Sequence, residues 1–447
     1  MGSFTLRDPV SGSALRDADN DTVRADAFVP PPPAPQPILG FPTLIVELGR
    51  IGGWVLGVSQ LGVNTFLGKF VVSWDDITAS VRHVTINRGR NHELNRVEAG
   101  RSEIRLANRN RAFDPTNTAS PHYPDVRLMT PIRIRALWDG VTYPMFYGFA
   151  TGWPQRWTRG PEGDAEVTVQ LVDAFKILAL AKVTLARPPE TTGARIGAVL
   201  DAVGWPSNLR AIDNGVSTIQ GVDLAAVPAL THIQDVATSE DGLFFIAADG
   251  VARFYASNHG IVLDDANDTW GDAGTEKHYQ EIVLTDDDSQ LWNEVTVTAP
   301  DLADQVVSDG VSISQFSGVA RAPRSLPVST LLNTEAAMLT RANAVLKRYS
   351  QPKPRIEQMA LDGRAGSQWA RLLVHDLHER VLVRKRPPGG GFLDQPSIIE
   401  GISHEISPNI SWRTMWQLSS TNYQIGQWQL GVPGRSELGV TTILGGF

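Results

Sequence analysis

The sequence predicts a mainly β protein with a smaller α+β part inserted in it. Apolar and polar residues alternate with a period of two from about Thr43 to Leu185, and the alternation returns at Asn293. Between these stretches, apolar residues recur at the three- and four-residue spacing of helices. Apolar residues at every second position lie on one face of a strand, and apolar residues spaced three or four apart lie on one face of a helix, so either pattern can bury one face in a core. We therefore expect two β-barrel-like domains and one small α+β domain.

The first β region consists of several short alternating segments. Their apolar positions are Leu44, Val46 and Leu48; Val84 and Ile86; Ile104 and Leu106; Ile132, Ile134 and Ala136; and Val167, Val169 and Leu171. Asp139–Gly140 lies between Ile132–Trp138 and Val141–Phe149 and predicts a hairpin, because glycine accepts the positive φ that a two-residue turn requires. Short strands separated by turn residues are typical of a barrel or a sandwich.

Two helices and a hairpin are predicted in the α+β part. The first helix carries Ile196, Val199, Leu200 and Val203 on one face, and the second carries Leu230, Ile233, Val236 and Ala237. Gly204 and Pro206 stop the first helix, because neither residue continues a helix well. The hairpin pairs Leu243–Ala247 with Val251–Tyr255 through Asp249–Gly250.

The last region is β-rich and contains one helix. Strands are predicted at Asn293–Thr298, Glu379–Arg386, Ser397–Ile406 and Trp412–Ser419. The helix is predicted between about Leu331 and Tyr349, with Met338, Ala342 and Val345 on its apolar face. The predicted order of parts is an N-terminal arm (1–42), a first β-barrel-like domain (43–189), an α+β domain (190–285), a second β-barrel-like domain (286–430) and a C-terminal docking tail (431–447).

The arm is rich in proline, with Pro30–Pro33, Pro35 and Pro37 in one short stretch. Such a composition favours an extended conformation without internal hydrogen bonds. Two interpretations stay open: a disordered leader, or an extended arm that orders against a neighbouring subunit. The tail is glycine-rich and apolar without periodicity, which is compatible with docking on a partner.

Composition excludes several classes of protein. The chain has 447 residues, a net charge of −8 and no cysteine. It therefore contains no disulfide scaffold, thiolate metal site or cysteine nucleophile. The acidic balance argues against specific or general nucleic-acid binding, which needs a basic surface. We expect no signal peptide, because Met1–Asp26 is polar and mixed in charge, and no membrane span, because no run of 18 apolar residues occurs.

Motifs of enzymes and metal proteins are absent, so we expect no enzymatic activity and no cofactor. The sequence has no Gly-x-x-x-x-Gly-Lys-Ser/Thr, Gly-x-Ser-x-Gly or His-Glu-x-x-His. His375 and His378 have a spacing that suits a metal only on a helix, and we favour a structural or surface role for them. Two acidic stretches lack the ligand spacing of a calcium loop and are predicted to be solvent loops: Asp264, Asp265, Asn267 and Asp268, and Asp286–Asp288.

Charge is segregated along the chain. Between Arg82 and Arg111 there are eight arginines, no lysine and three glutamates, and between Asp264 and Asp309 there are thirteen carboxylates and one lysine. The arginines are interpreted either as the solvated face of strands or as bidentate partners of carboxylates in a neighbouring subunit. On the second interpretation the interface candidates are Arg82, Arg88, Arg90, Arg96, Arg101, Arg105, Arg109, Asp264, Asp265, Asp286, Asp287 and Asp288.

Several stretches resemble the minor tail proteins of siphophages that infect actinobacteria, in the class of baseplate hub-like, tail-associated proteins. The residues that carry the resemblance are Trp74–Thr78, Arg88–Arg90, Glu93–Leu94, Arg96, Glu98–Gly100, Asn108–Arg109, Phe113–Pro115, Ser120–Pro121, Tyr123–Pro124 and Pro131–Arg135. Later stretches that fit in the same order are Ala248–Gly250, Asn293–Val297, Glu400–His404 and Leu438–Leu444. The resemblance covers roughly residues 70–447 and leaves out the proline-rich arm.

The resemblance implies a structural virion protein. It implies a homotrimeric hub at the tail tip that joins the tail tube to distal host-binding components. The implied partners are distal tail or tail tube ring proteins, the tape measure protein and other minor proteins of the tail tip. Assembly would take place in the host cytoplasm.

Two alternatives remain beside this hub. One is a hexameric distal-tail-type connector. The other is a virion-associated protein that binds glycans or degrades cell walls, which the 12 tryptophans would suit, although Trp138, Trp153, Trp157, Trp412 and Trp416 are expected to be mostly core or interface anchors. If the arginines act between subunits, replacing Arg88 and Arg90 by Ala should weaken assembly without unfolding the protomer.

Overall fold

The computed structural model describes residues 40–52, 65–66, 69–160, 163–259, 268–273, 276–316, 322–352, 354–361, 363, 368–391 and 393–420. The strands in these residues are β1 (Thr43–Gly52), β2 (Thr65–Phe66), β3 (Lys69–Asp76), β4 (Val81–Gly89), β5 (Glu98–Ala107), β6 (Pro131–Trp138), β7 (Val141–Gly152), β8 (Gln155–Trp157), β9 (Ala165–Val172), β10 (Lys182–Arg187), β11 (Glu190–Thr191), β12 (Arg210–Ile212), β13 (Thr218–Ile219), β14 (Val222–Pro228), β15 (Leu243–Ile246), β16 (Ala252–Tyr255), β17 (Thr269–Gly271), β18 (Lys277–His278), β19 (Glu281–Thr285), β20 (Glu294–Thr298), β21 (Gln305–Ser308), β22 (Ser325–Ser329), β23 (Arg355–Leu361), β24 (Arg380–Lys385), β25 (Leu393–Ser407) and β26 (Ser411–Ser420). The predicted mainly β fold is confirmed.

The helices are short and lie between the strands. In the described residues they are α1 (Phe175–Leu180), α2 (Thr192–Ala202), α3 (Ala229–Glu240), α4 (Gly310–Phe316), α5 (Glu335–Tyr349) and α6 (Trp369–Val374), with 3-10 turns at Thr78–Ser80 and Ser207–Leu209. None of them is long and apolar enough to cross a membrane.

One large sheet runs through both β-rich regions of the sequence. Its strand order is β18-β17-β24-β25-β4-β5-β9-β7-β6-β1-β3-β2, with β26, β23 and β19 branching from β25 and with β8 on β9. The two regions meet where β4 and β25 pair in antiparallel fashion, with Ile86 opposite His404 and Val84 opposite Ile406. Residues more than three hundred positions apart in sequence are therefore joined by a continuous hydrogen-bonded ladder.

The predicted hairpin turns are confirmed. In the β6–β7 hairpin, Trp138 pairs with Val141, and Asp139 and Gly140 form a two-residue turn with φ of 48° and 76°. Both residues thus have the positive φ of a type I′ turn. The β15–β16 hairpin turns at Gly250, whose φ is 89°.

The three predicted long helices are confirmed as α2, α3 and α5. Each of α2 and α5 begins at a threonine whose side chain accepts a backbone N–H: Thr191 accepts that of Ala194 and Thr334 that of Ala337. Such N-caps satisfy a donor that has no partner inside the helix. Helix α5 begins four residues later than about Leu331, where the apolar pattern alone placed it, because Thr334 provides this cap.

The α+β part shares its core with the large sheet. Helices α2 and α3 bury Ile196, Val199, Ile233 and Val236 in the same apolar cluster that contains Val84 and the other inward residues of the sheet. Phe175 of α1 stacks on Phe244 of β15 with ring centroids 5.7 Å apart. A shared core makes these elements one packed body.

Residues 293–350 have a second core of their own. Strands β21, β20 and β22 form a three-stranded sheet, and α5 covers one of its faces. The buried residues of this cluster are Val295, Val297, Leu332, Met338, Ala342, Val345 and Tyr349. We call residues 293–350, of which 317–321 are not described, the 293–350 unit.

Three of the predicted features lie outside the described residues. These are the arm (1–42) up to residue 39, the docking tail (431–447), and the acidic pair Asp264 and Asp265.

Candidate functional site

The predicted arginine block divides into buried and exposed members. Along β5 the side chains alternate, so that Arg101, Glu103 and Arg105 face solvent while Ser102 and Ile104 are buried. In β4, by contrast, Arg88 follows Val84 and Ile86 on the buried side. The same residue type therefore has two roles in neighbouring strands, decided by which face of the sheet each side chain takes.

Arg88 forms an ion pair inside the protomer. Its Nη1 donates to Oδ1 of Asp376 at 2.7 Å, and the two side chains are 5% and 13% exposed. Oδ2 of Asp376 also accepts the N–H of Ala248 at 3.2 Å. Although burial opposes ionisation, the charge of Arg88 and these N–H donors lower the pKa of Asp376. The pair ties β4, the β15–β16 turn and the segment before β24 together.

Arg90 also pairs within the chain. Its Nε donates to Oε2 of Glu400 at 2.6 Å, and its backbone N–H donates to the carbonyl of Glu400 at 2.9 Å. The Glu400 side chain is 2% exposed. Both Arg88 and Arg90 thus hold β4 to the second β region, whereas the sequence suggested partners in a neighbouring subunit. Truncating either side chain would leave a buried carboxylate unpaired and destabilise the protomer itself.

Two titratable groups close to Arg88 have strongly shifted pKa values. Burial raises the pKa of Asp173 to about 7, although its carboxylate accepts the N–H groups of Gly100 and Phe175 at 2.7 and 2.9 Å. Burial, reinforced by the charge of Arg88, lowers the pKa of His404 to about 3. His404 hydrogen-bonds the hydroxyl of Thr414 at 2.8 Å and is neutral at pH 7.

The exposed arginines differ in their partners. Arg82 pairs with Asp164 at 2.5 Å, Arg96 with Asp235 at 2.7 Å, and Arg109 lies 3.5 Å from Asp164. Arg101 and Arg105 form no ion pair with any described residue. These two arginines, both on the outer face of β5, are therefore the members of the block whose charges are available to another molecule.

The acidic candidates Asp286, Asp287 and Asp288 lie in an exposed loop after β19, as predicted. Asp287 pairs with Arg355 at 2.7 Å and Asp288 pairs with Arg324. Asp268, in contrast, was predicted to lie in a solvent loop and is buried, with Oδ1 at 3.3 Å from Nε2 of His375. The β17 ladder that follows Asp268 draws it into the core, and the charge pattern gave no sign of this.

His375 and His378, the candidate metal ligands, have separate surroundings. His375 is held between Asp268 and Glu379, and although burial opposes protonation, these carboxylates raise its pKa. His378 packs against Tyr255 with ring centroids 5.7 Å apart, and burial lowers its pKa to about 4. Among the described residues no three His, Asp or Glu side chains are grouped so that they could hold a metal ion.

Three of the five tryptophans singled out in the sequence are core residues. Trp153, Trp412 and Trp416 are buried, Trp138 is partly buried, and Trp157 is 60% exposed at the edge of the sheet. The prediction that most of them are anchors is confirmed for the buried three.

The sequence missed an ion-pair cluster at the end of α3. Arg341 and Arg348 of α5 both contact Oδ2 of Asp241, at 2.8 and 3.0 Å. Asp241 ends α3 with a φ of 63°. Arg341 and Arg348 are seven residues apart, which places them two turns apart on one helix face, and this spacing was the signal available in the sequence.

Comparison with known proteins finds likeness only in structure. No protein family and no curated protein matches the sequence. The 43 kDa tail protein of prophage MuSo2 from Shewanella oneidensis aligns with a TM-score of 0.53 and 11% identity, over 85% of this chain and 97% of that one. The tail protein from Neisseria meningitidis MC58 aligns with a TM-score of 0.53 and 13% identity, over the same shares. The chain therefore has the fold of these two tail proteins.

Proposed function

We propose that this protein is a structural component of a phage virion that forms the trimeric hub of a long-tailed phage tail tip. The observation that carries the proposal is the fold it has in common with two tail proteins, which spans 85% of this chain and 97% of each of theirs. The sequence stretches around Arg88–Pro124 support the narrower assignment to siphophages that infect actinobacteria.

The construction of the protomer supports a role in ring assembly. A head-to-tail interface closes into a ring only when each protomer holds a fixed angle between its two contact surfaces. Here the two β-rich regions share the β4–β25 ladder, and the buried Arg88–Asp376 and Arg90–Glu400 pairs brace that ladder. A protomer braced in this way is suited to hold such an angle.

We assign the buried charged groups to structure, and we propose no enzymatic activity. Arg88, Arg90, Asp376 and Glu400 are each used in a pair that joins distant parts of the chain. Arg101 and Arg105 on the outer face of β5 are the arginines we propose for contacts between subunits or with an adjoining tail ring. The proposed partners are two further copies of this chain, distal tail or tail tube ring proteins, the tape measure protein and other tail-tip proteins.

The oligomeric state and the location in the virion test the proposal. Size-exclusion chromatography with light scattering should give a mass three times that of the 48.7 kDa chain. Labelling of purified virions with an antibody should place the protein at the tail tip. A monomer that is absent from virions would contradict the proposal.

The same experiments separate the alternatives. A hexamer at the tail tip would favour a distal-tail-type connector. The exposed Trp157 is the observation that favours glycan binding, because an exposed indole can stack on a sugar ring. Incubation with actinobacterial cell walls tests that alternative: release of soluble fragments would favour a cell-wall-degrading protein, and retention on the walls without release would favour a glycan-binding one.

A further inference from the structure

We propose that the 293–350 unit is a hinged body, and that Asp241 with Arg341 and Arg348 is the latch that holds it to helix α3. The inference rests on three separate observations: a core of its own, chain connections that lie side by side, and a contact surface that contains several hydrogen bonds. It does not depend on the proposed role in a phage tail.

The unit has the packing of an independent body. Its buried residues, among them Val295, Val297, Met338 and Val345, form a cluster distinct from the one that fills the rest of the protein. Apolar side chains that pack with one another move together, because separating them would expose apolar surface to water. Motion of the unit as a whole leaves this cluster intact.

Both chain connections to the unit lie at one place. The chain enters after Asp287 and leaves before Arg355, and Arg355 Nη2 donates to Asp287 Oδ1 and to Ser289 Oγ at 2.7 and 2.9 Å. Next to this pair, the N–H of Trp292 donates to the carbonyl of Tyr349 at 3.0 Å. The two segments that connect the unit to the rest of the protein therefore lie side by side. Such a pair of segments can act as a hinge, because a small change in their backbone dihedral angles rotates the whole unit.

The surface that faces α3 and the β13 segment combines the apolar contact of Leu331 with the main core and a set of hydrogen bonds. Gln220 donates its N–H to the carbonyl of Leu331 at 2.8 Å, and its Nε2 to the carbonyl of Leu332 at 3.0 Å. Leu331 donates its N–H to Ser239 Oγ at 2.8 Å, and Asn333 donates its N–H to the carbonyl of Thr218 at 3.3 Å. Water can replace each of these partners when the surfaces separate, so opening here costs less than opening a dry apolar interface.

The ion pairs of Asp241 close this surface. Arg341 and Arg348 project from one face of α5 and meet the carboxylate of Asp241, the residue that follows the last turn of α3. Their side chains are only 15% and 16% exposed, so loss of the Asp241 charge would remove the carboxylate partner of Arg341 and one of the acidic neighbours of Arg348, which also interacts with Glu93. Burial opposes ionisation of Asp241, and the two guanidinium groups nevertheless lower its pKa. The latch therefore consists of three charge-assisted contacts, two from Arg341 and one from Arg348, on one carboxylate.

Asp241→Asn is the variant that releases the latch with the least disturbance. It removes the charge, keeps the size of the side chain, and tolerates the φ of 63°, because asparagine occupies the left-handed region readily. Asp249→Asn is the matched control: it makes the same change in charge at an exposed pair, Arg253–Asp249, away from the unit.

Distances between spin labels test the motion directly. Spin labels are attached at Ala202→Cys on α2 and Ala344→Cys on α5, which replace two exposed alanines. Because the chain has no other cysteine, each protein carries one pair of labels and gives one label-to-label distance distribution. We expect a single narrow distance distribution in the otherwise unaltered protein and in Asp249→Asn. In Asp241→Asn we expect a broader distribution or a second population. An unchanged distribution in Asp241→Asn would overturn the proposal.

Amide hydrogen exchange distinguishes hinging from unfolding. In Asp241→Asn the amides of Leu331 and Asn333 should exchange at least about tenfold faster, because their acceptors lie across the latched surface. The amide of Val345, inside α5, should keep its protection. Loss of protection at Val345 together with Leu331 would mean local unfolding and would contradict a hinged body. Neither result bears on trimer formation, which is measured separately.

Discussion

The guanidinium of Arg88 lies 2.7 Å from the carboxylate of Asp376, a residue 288 positions later in the chain. This buried pair stands at the junction of the two β-rich regions, beside the ladder in which β4 meets β25. Its position makes Arg88 a residue of the protomer's interior, so its loss should affect folding before assembly.

Arg88→Ala should lower the free energy of unfolding of the protomer by about 3 kcal/mol or more, because Asp376 is left charged, buried and unpaired. Urea denaturation followed by tryptophan fluorescence measures it. Arg96→Ala is the control, since the Arg96–Asp235 pair is half exposed and should contribute only about 0–1 kcal/mol. Equal effects of the two substitutions would contradict a buried pair.

A second prediction concerns Asp376 itself. Asp376→Asn removes the charge and keeps an acceptor for the N–H of Ala248, whereas Asp376→Ala removes both. Asp376→Asn should therefore destabilise the protomer less than Asp376→Ala, by about 1–3 kcal/mol, the usual cost of a buried donor without a partner. Denaturation curves of the two variants, measured side by side, check the order.

Asp173 should make stability fall as the pH rises. The folded protein holds its pKa at about 7, above the ordinary value of about 3.9, so the fold favours the protonated acid. The stabilisation from this group is complete below about pH 3.9 and is lost progressively as the pH rises to about 7. Asp173→Asn cannot ionise and should change the slope of stability against pH in this window.

The substitution Asp173→Asn can also lower the free energy of unfolding by the same amount at every pH. Such a constant loss does not change the slope of stability against pH, so the slope is the quantity to compare. The free energy of unfolding, measured from pH 4 to 7.5, should fall less steeply in Asp173→Asn than in the unaltered protein. Asp139→Asn is the control, because it makes the same change of side chain in the exposed β6–β7 turn. Parallel curves for Asp173→Asn and the unaltered protein would contradict the prediction.

His404 should act in the opposite sense. Its pKa in the folded protein is about 3, below the ordinary value of about 6.5, so the unfolded chain takes up a proton that the folded protein excludes. The contribution is present above about pH 6.5 and is lost as the pH falls toward about 3. His404→Gln can keep a hydrogen bond to Thr414 and should lose less stability on acidification, which acid titration of circular dichroism would measure.

The charges on the outer face of β5 should matter for assembly and not for folding. Arg101→Glu with Arg105→Glu should raise the dissociation constant of the oligomer about tenfold or more, because like charges would replace attraction at each repeated interface. The free energy of unfolding of the protomer should change little. Light scattering across a dilution series measures the first quantity, and urea denaturation measures the second.

The matched control is Lys182→Glu with Lys347→Glu, which makes the same change in net charge at two other exposed positions. If both double variants weaken assembly equally, the effect belongs to net charge and not to the β5 face. If neither does, Arg101 and Arg105 are solvated residues of a strand face, which is the other interpretation that the sequence left open.

Local features of the fold were predictable because they depend on neighbours in sequence. The Asp139–Gly140 turn follows from the positive φ that glycine accepts, and α2 and α5 follow from apolar residues at helical spacing. The start of α5 was placed too early, because an apolar pattern does not mark the cap that Thr334 supplies. The exposed loop at Asp286–Asp288 was predictable from charge alone.

The roles of individual charges were decided by tertiary structure. Arg88 and Arg101 belong to one arginine-rich stretch, yet Arg88 meets Asp376 in the interior and Arg101 faces solvent. Likewise, the sequence pattern in the stretch from His375 to His378 singles out the two histidines as candidate ligands. The residue of this stretch that joins distant parts of the fold is Asp376, through its buried ion pair with Arg88. A strand's alternation tells which residues share a face, but the face that becomes buried depends on what packs against it.

By itself, then, the sequence determined the mainly β class, the three long helices, the hairpin turns and the absence of cysteine chemistry, because each depends on composition or on residues close together in the chain. Only the tertiary structure decided that the two β regions form one sheet through β4 and β25, that Arg88 and Arg90 are internal braces, and that residues 293–350 have a separate core latched at Asp241. These are contacts between residues from about one hundred to more than three hundred positions apart. Their energies depend on burial and distance, which no local pattern encodes.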